Sequence, residues 1–179
     1  MRNIYFTLKN YFFLFLLLIS LLGCNKSKEE KNSEKNSNDS SSIYLIEAQK
    51  KNTKSHAKLE KLKKSLAILK TEKNDSITRS KILELSKELY KNDFREDFVK
   101  SAHLLTNLSI KSKDSFHLAQ AFRIKGNFYR NLSNQDSAFI YYTDAEKIIK
   151  RIKEKEGLSF VLINKSIIQF DAGDYTGAD

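Results

Sequence analysis

The stretch AFRIKGNFYRNLSNQDSAFIYYTDAEKI, residues 121–148, decides how the rest of the chain is read. Its first half carries small or apolar residues every three or four positions: Phe122, Gly126 and Tyr129 continue a stripe that begins at Ala119. Ser133, Asn134 and Gln135 interrupt it. A second stripe then runs through Ala138, Tyr142 and Ala145 to Ile149 and Ile152, broadened by Tyr141 and Ile148. Spacing of three and four marks one face of a helix, whereas a strand would alternate at every second residue. The stretch therefore predicts two amphipathic helices joined by a short polar turn. Gly126 and Ala138 are small within bulky stripes, which lets two helix backbones approach while Phe122, Tyr129 and Tyr142 fill the space beside them.

The pattern recurs 40 residues on, where Ser166 takes the place of Gly126 and Ala178 that of Ala138, each pair keeping its spacing of 12. Leu162 opens this second copy, and Gly173-Asp174-Tyr175 supplies its turn. Upstream, helical stripes run through Leu59, Leu62, Leu66 and Leu69, through Ile82, Leu85 and Leu89, and through Phe98, Ala102, Leu105 and Leu108. Polar breaks fall at 72–75, 91–93, 113–115, 133–135, 153–157 and 173–174. Asp75 or Ser76, Asp114 or Ser115, and Asn134 or Asp136 have side-chain oxygens suited to capping the helices that follow. The chain has no Pro and only 5 Gly in 179 residues, which disfavours a loop-rich β fold. The fold class expected is all-α, built of antiparallel helical hairpins.

Phe122, Gly126, Tyr129, Ala138, Tyr142 and Ala145 resemble the signature of the tetratricopeptide repeat, and Ala178 matches its small position in the second copy. The resemblance implies hairpins stacked as an α-solenoid, with repeats over 115–179 and the last one incomplete. Residues 43–112 then form N-terminal helices and a degenerate repeat. Ser86 falls 40 residues before Gly126, but Phe98 stands where the family places a small residue. The family binds extended peptides along the first helix of each hairpin. On this chain the resemblance puts Gln120, Arg123, Asn127, Arg130 and Asn131 in that groove, and Phe160, Ile163, Ile167, Phe170 and Asp171 in the next copy. Arg would offer a fork to a carboxylate and Asn an amide to a peptide backbone.

The N-terminus reads as an address. Arg2 and Lys9 precede an uncharged run, YFFLFLLLISLL over 11–22, whose 12 residues span about 18 Å as a helix, well short of the ~30 Å hydrocarbon core. Residues 1–23 are expected to be a secretory signal peptide. Leu21-Leu22-Gly23-Cys24 is similar to a bacterial lipobox, and Cys24 is the only cysteine of the chain. That likeness implies a lipid-anchored, exported envelope protein facing the periplasm or the cell surface. Residues 25–42 contain no apolar side chain, so with Cys24 they are expected to be a disordered tether, 24–42, that cannot offset its ordering entropy by burial.

The net charge of +10 does not point to nucleic acid: half of the excess lies in residues 43–75, with nine basic against four acidic side chains and no recognisable nucleic-acid-binding motif. One cysteine and three scattered histidines, His56, His103 and His117, exclude a disulfide framework and give no metal-ligand spacing. No phosphate loop, nucleophile elbow or paired catalytic carboxylates occur, so neither cofactor nor catalysis is expected, and His103 and His117 are read as packed or half-exposed side chains. The segment LSFVLINKSIIQF, apolar around most of its circumference, is followed by only a few residues before Asp179, which predicts a longer repeat protein. The function expected is that of a membrane-anchored scaffold binding a protein or peptide partner. The alternative is the sensor end of a signalling protein, a histidine kinase or a DNA-binding regulator, with its output domain beyond this segment.

Overall fold

A computed structural model describes residues 40–174. These fold into α1 (Ser40–Gln49), α2 (Ser55–Leu69), α3 (Ser76–Lys91), α4 (Arg95–Lys111), α5 (Ser115–Asn131), α6 (Gln135–Ile152) and α7 (Lys155–Asp171), with no strand among the described residues. The all-helical expectation holds. The signal peptide, Cys24, the tether up to residue 39 and Ala178 lie outside the described residues.

Helix starts follow the capping chemistry. Asp75, Asp114 and Asn134 each accept a hydrogen bond from the backbone N–H three residues on, at Thr78, His117 and Ser137. Each satisfies one of the donors that a helix leaves unpaired in its first turn. Glu154 caps α7 in the same manner, both carboxylate oxygens accepting from the Gly157 N–H. The polar break expected at 153–157 is therefore only two residues long, and Gly157 lies inside the helix. A second boundary also shifts: the expected tether ended at Ser42, but α1 begins at Ser40. Ser41 is buried, its hydroxyl donating to Glu72 and its carbonyl accepting from Ser65, so a serine run without apolar residues is held by hydrogen bonds from α2 and the turn after it.

Helix ends reveal a regularity. Asp93, Lys113, Ser133, Lys153 and Gly173 all have positive φ, between 54° and 77°, and they stand 20 residues apart. At each, the N–H of the positive-φ residue bonds the carbonyl three residues back, and the next N–H bonds the carbonyl five back, as in Asn134 to Tyr129 at 2.9 Å. This is the Schellman arrangement, repeated five times. One helix and one turn make a 20-residue unit, and two make the 40-residue period of the sequence.

Each helix packs on its neighbours in sequence, and α3 also touches α1 and α5, so first helices of successive hairpins meet directly. In the α5–α6 hairpin Gly126 faces the Tyr142 ring, and a Cβ there would lie 2.6 Å from Cε1. Tyr142, Ala138 and Ala145 are fully buried around it. The α3–α4 hairpin solves the same problem in reverse order. Phe98 stands where α6 has Ala138, and Ala102 where it has Tyr142, so each hairpin spends one aromatic and one alanine on the contact. Phe98 packs on Phe128 and Tyr90 at 4.6 and 5.7 Å, and Ser86 donates to Ser101 across the gap at 2.8 Å. The segment expected to be a degenerate repeat is thus a complete hairpin, and 43–72 contributes another, α1–α2.

Candidate functional site

The sequence-predicted groove positions lie on α5, which Asp114 caps and which buries Ala119, Ala121, Ile124, Gly126 and Phe128. Gln120, Arg123, Asn127, Arg130 and Asn131 do not form an unoccupied row. Gln120 is buried. The Arg123 guanidinium lies 4.8 Å from the centre of the Phe160 ring on α7, and burial pushes its pKa down against the attraction of Glu154. Asn127 Oδ1 accepts the Tyr142 hydroxyl at 2.7 Å. Asn131 Nδ2 donates to the Tyr90 hydroxyl on α3 at 2.5 Å. Four of the five positions therefore help to hold neighbouring helices or are enclosed by them, a duty that spacing within α5 could not disclose.

Arg130 differs. Its Nε is buried and has no hydrogen-bond partner within the chain. Its charge reaches two phenols, Tyr90 and Tyr142. Burial raises both hydroxyl pKa values, Tyr142 to about 12, and the Arg130 charge opposes the rise. Both phenols are neutral at physiological pH and serve as hydrogen-bonding groups. A guanidinium beside neutral hydroxyls can donate to an anionic or carbonyl oxygen of a partner. Tyr90, Phe94, Phe98, Phe128 and Asn131 line a cavity of about 50 Å³ between α3, α4 and α5.

Across Phe160 the surface turns apolar. Ile163, Ile167 and Phe170 of α7 are exposed by 59%, 40% and 60%. Phe139, Ile140, Ile168 and Ala172 line a recess of about 360 Å³ between α6 and α7.

Among the described residues Ala138, Tyr142 and Ala145 are buried, and Phe122 and Tyr129 pack against them. Tyr129 and Tyr141 stack with centroids 5.3 Å apart and planes 12° from parallel, with Phe122 alongside. Lys125, which the periodicity did not single out, is buried beside this cluster. Its Nζ donates to Thr106 of α4 at 2.8 Å and lies 5.5 Å from the centre of Tyr141, and burial lowers its pKa to about 8. No cluster of His, Cys, Asp and Glu that could hold a metal occurs among the described residues. No helix among them is long and apolar enough to cross a membrane. No protein-family profile matches the chain, and no curated protein matches it significantly.

Proposed function

We propose that the chain is a lipid-anchored helical-repeat scaffold of the tetratricopeptide kind that captures an extended peptide segment of a protein partner along the first helices of its hairpins. The observation that carries this reading is Arg130 of α5, a half-buried side chain whose guanidinium Nε is buried and has no hydrogen-bond partner. A carboxylate on the incoming peptide would pair with the half-exposed guanidinium, and apolar side chains of the same peptide would cover Ile163, Ile167 and Phe170. The roles of the other groove positions are correspondingly structural: Asn127 and Asn131 hold Tyr142 and Tyr90 in place, and Arg123 orders Phe160. The anchor half of the proposal rests on Leu21-Leu22-Gly23-Cys24. Two or more acyl chains, at about 0.8 kcal/mol per buried CH₂, give stable membrane attachment.

Each half has its own test. Expressed with its leader in a bacterium, the protein should take up labelled fatty acid and partition into detergent, and Cys24→Ala should abolish both. Unchanged labelling in the variant would remove the anchor. Selection of a random peptide library on the full chain should enrich peptides with an acidic residue beside apolar ones, and Arg130→Ala should lose them while keeping its helical circular dichroism. Enrichment that survives Arg130→Ala would reject the site.

A further inference from the structure

Away from the α5 groove residues, three side chains from two hairpins meet in an order that matters chemically. Asp114, the cap of α5, accepts the His117 backbone N–H at Oδ1 and faces the His117 ring with Oδ2, 2.7 Å from Nδ1. Arg79 of α3 donates its Nε to the same Oδ2 at 2.8 Å, and its Nη1 is held by Asn74 Oδ1 at 2.7 Å. Burial favours the protonated acid at Asp114, but the hydrogen bonds from the His117 backbone and ring and from Arg79 outweigh it and hold the carboxyl below its ordinary value. An ionised Asp114 only accepts, so Nδ1 must carry the proton that bridges the pair. His117 Nε2 in the neutral ring is then an acceptor, and it lies 3.0 Å from Ser80 Oγ on α3. The hydroxyl consequently donates to Nε2. His117 itself is buried and cannot swing away, while Ser80 is open to solvent.

We propose that Ser80 is an activated nucleophile, with His117 as its general base and Asp114 holding the imidazole tautomer, and that it takes acyl groups from small activated carboxylic esters. The arrangement supplies the nucleophile–base–carboxylate part of such a site: nucleophile and base in hydrogen-bond contact, and the base oriented by a carboxylate. In the acylation step the Ser80 Oγ–carbonyl carbon bond forms as the Oγ proton passes to His117 Nε2. The ester C–O bond then breaks, and the leaving oxygen takes that proton. Water, deprotonated by the same Nε2, releases the acyl group as a carboxylic acid and restores Ser80. Ile77 lies one turn before Ser80 on the same side of α3 and is exposed by 54%, which gives the acyl chain an apolar surface. Arg79 reaches the site through Asp114 and is a positioning residue.

The probe is an alkyl fluorophosphonate, in which the Ser80 Oγ–P bond forms, fluoride leaves and the proton goes to His117. The full chain should carry one phosphonate, located at Ser80 by peptide mass. Ser80→Ala should lose it, His117→Gln should slow labelling at least tenfold, and Ser76→Ala on the same helix should change nothing. With 4-nitrophenyl acetate, the wild type should release nitrophenolate in a burst close to one equivalent that Ser80→Ala lacks. Absence of the phosphonate, its appearance on other serines at a similar rate, or an unchanged rate in a folded His117→Gln would overturn the proposal. Should His117→Gln lose its helical signal, the rate at Ser80 against that at Ser76 and the other exposed serines of the wild type decides, and equal rates overturn it.

Discussion

Replacing Gly126 by alanine probes the contact between α5 and the Tyr142 ring of α6. In an unobstructed helix interior this change stabilises by about 1 kcal/mol, because glycine loses more backbone entropy. Here the new Cβ would sit 2.6 and 2.7 Å from Cε1 and Cδ1 of Tyr142. The ring cannot step aside easily: it is fully buried, and its hydroxyl is tied to Asn127 at 2.7 Å. Overpacking of this kind costs about 1–3 kcal/mol. The net expected for Gly126→Ala thus runs from near zero to about 2 kcal/mol of destabilisation. The two contributions separate in a double-mutant cycle. With Tyr142→Ala as background the obstruction is gone, and Gly126→Ala should stabilise by up to about 1 kcal/mol. Urea unfolding followed by circular dichroism gives all four free energies. A coupling below about 0.5 kcal/mol, or stabilisation by Gly126→Ala in the wild type, would refute the close approach of α5 and α6.

The left-handed turn residues give a second test: Lys113→Gly, Ser133→Gly and Lys153→Gly should each raise the unfolding free energy from urea titration, by about 0.5–1 kcal/mol once the flexibility glycine adds to the unfolded chain is subtracted. Asp93→Gly should gain less because it gives up the ion pair with Arg95, and Gly173→Ala should destabilise. A third concerns Lys125. Its pKa falls from 10.5 to about 8 on folding, so between these values the unfolded chain binds more protons and stability should rise with pH across that window. Lys125→Met should flatten the rise and be more stable than the wild type at pH 7; an equal slope in the variant would show that another group is responsible. Finally, Asp114→Ala should cost clearly more than Asp75→Ala, about 1 kcal/mol for a cap alone, since it also strips Arg79 and His117 of their shared carboxylate. Equal thermal shifts for the two variants would contradict this.

Much of the fold could be read from residue spacing because the buried stripes are local. Ala119 to Tyr129 and Ala138 to Ile152 state their helices outright, and the recurrence of Gly126 at Ser166 states the stacking period. The 20-residue unit stayed hidden because four of its five left-handed positions carry Asp, Lys, Ser and Lys where glycine would have announced the turn. The reversed aromatic–alanine pair at Phe98 and Ala102 concealed the α3–α4 hairpin for a similar reason: the volume is conserved, and its order along the chain is not. The groove positions were harder still. Asn131 finds Tyr90 across 41 residues and Asn127 finds Tyr142 across 15, and no spacing within α5 indicates either partner. Ser80 and His117, 37 residues apart on different hairpins, were invisible as a pair until the stack brought them within 3.0 Å.

The binding claim is tested most directly by amide hydrogen exchange of the full chain, with and without a peptide selected on it. The account predicts slower exchange on peptide binding along the first helices that carry the contacts, 115–131 and 155–171, with no matching change in 95–111 or 135–152, and loss of the effect in Arg130→Ala. Protection centred on those second helices, or protection at α5 that persists in Arg130→Ala, would contradict it.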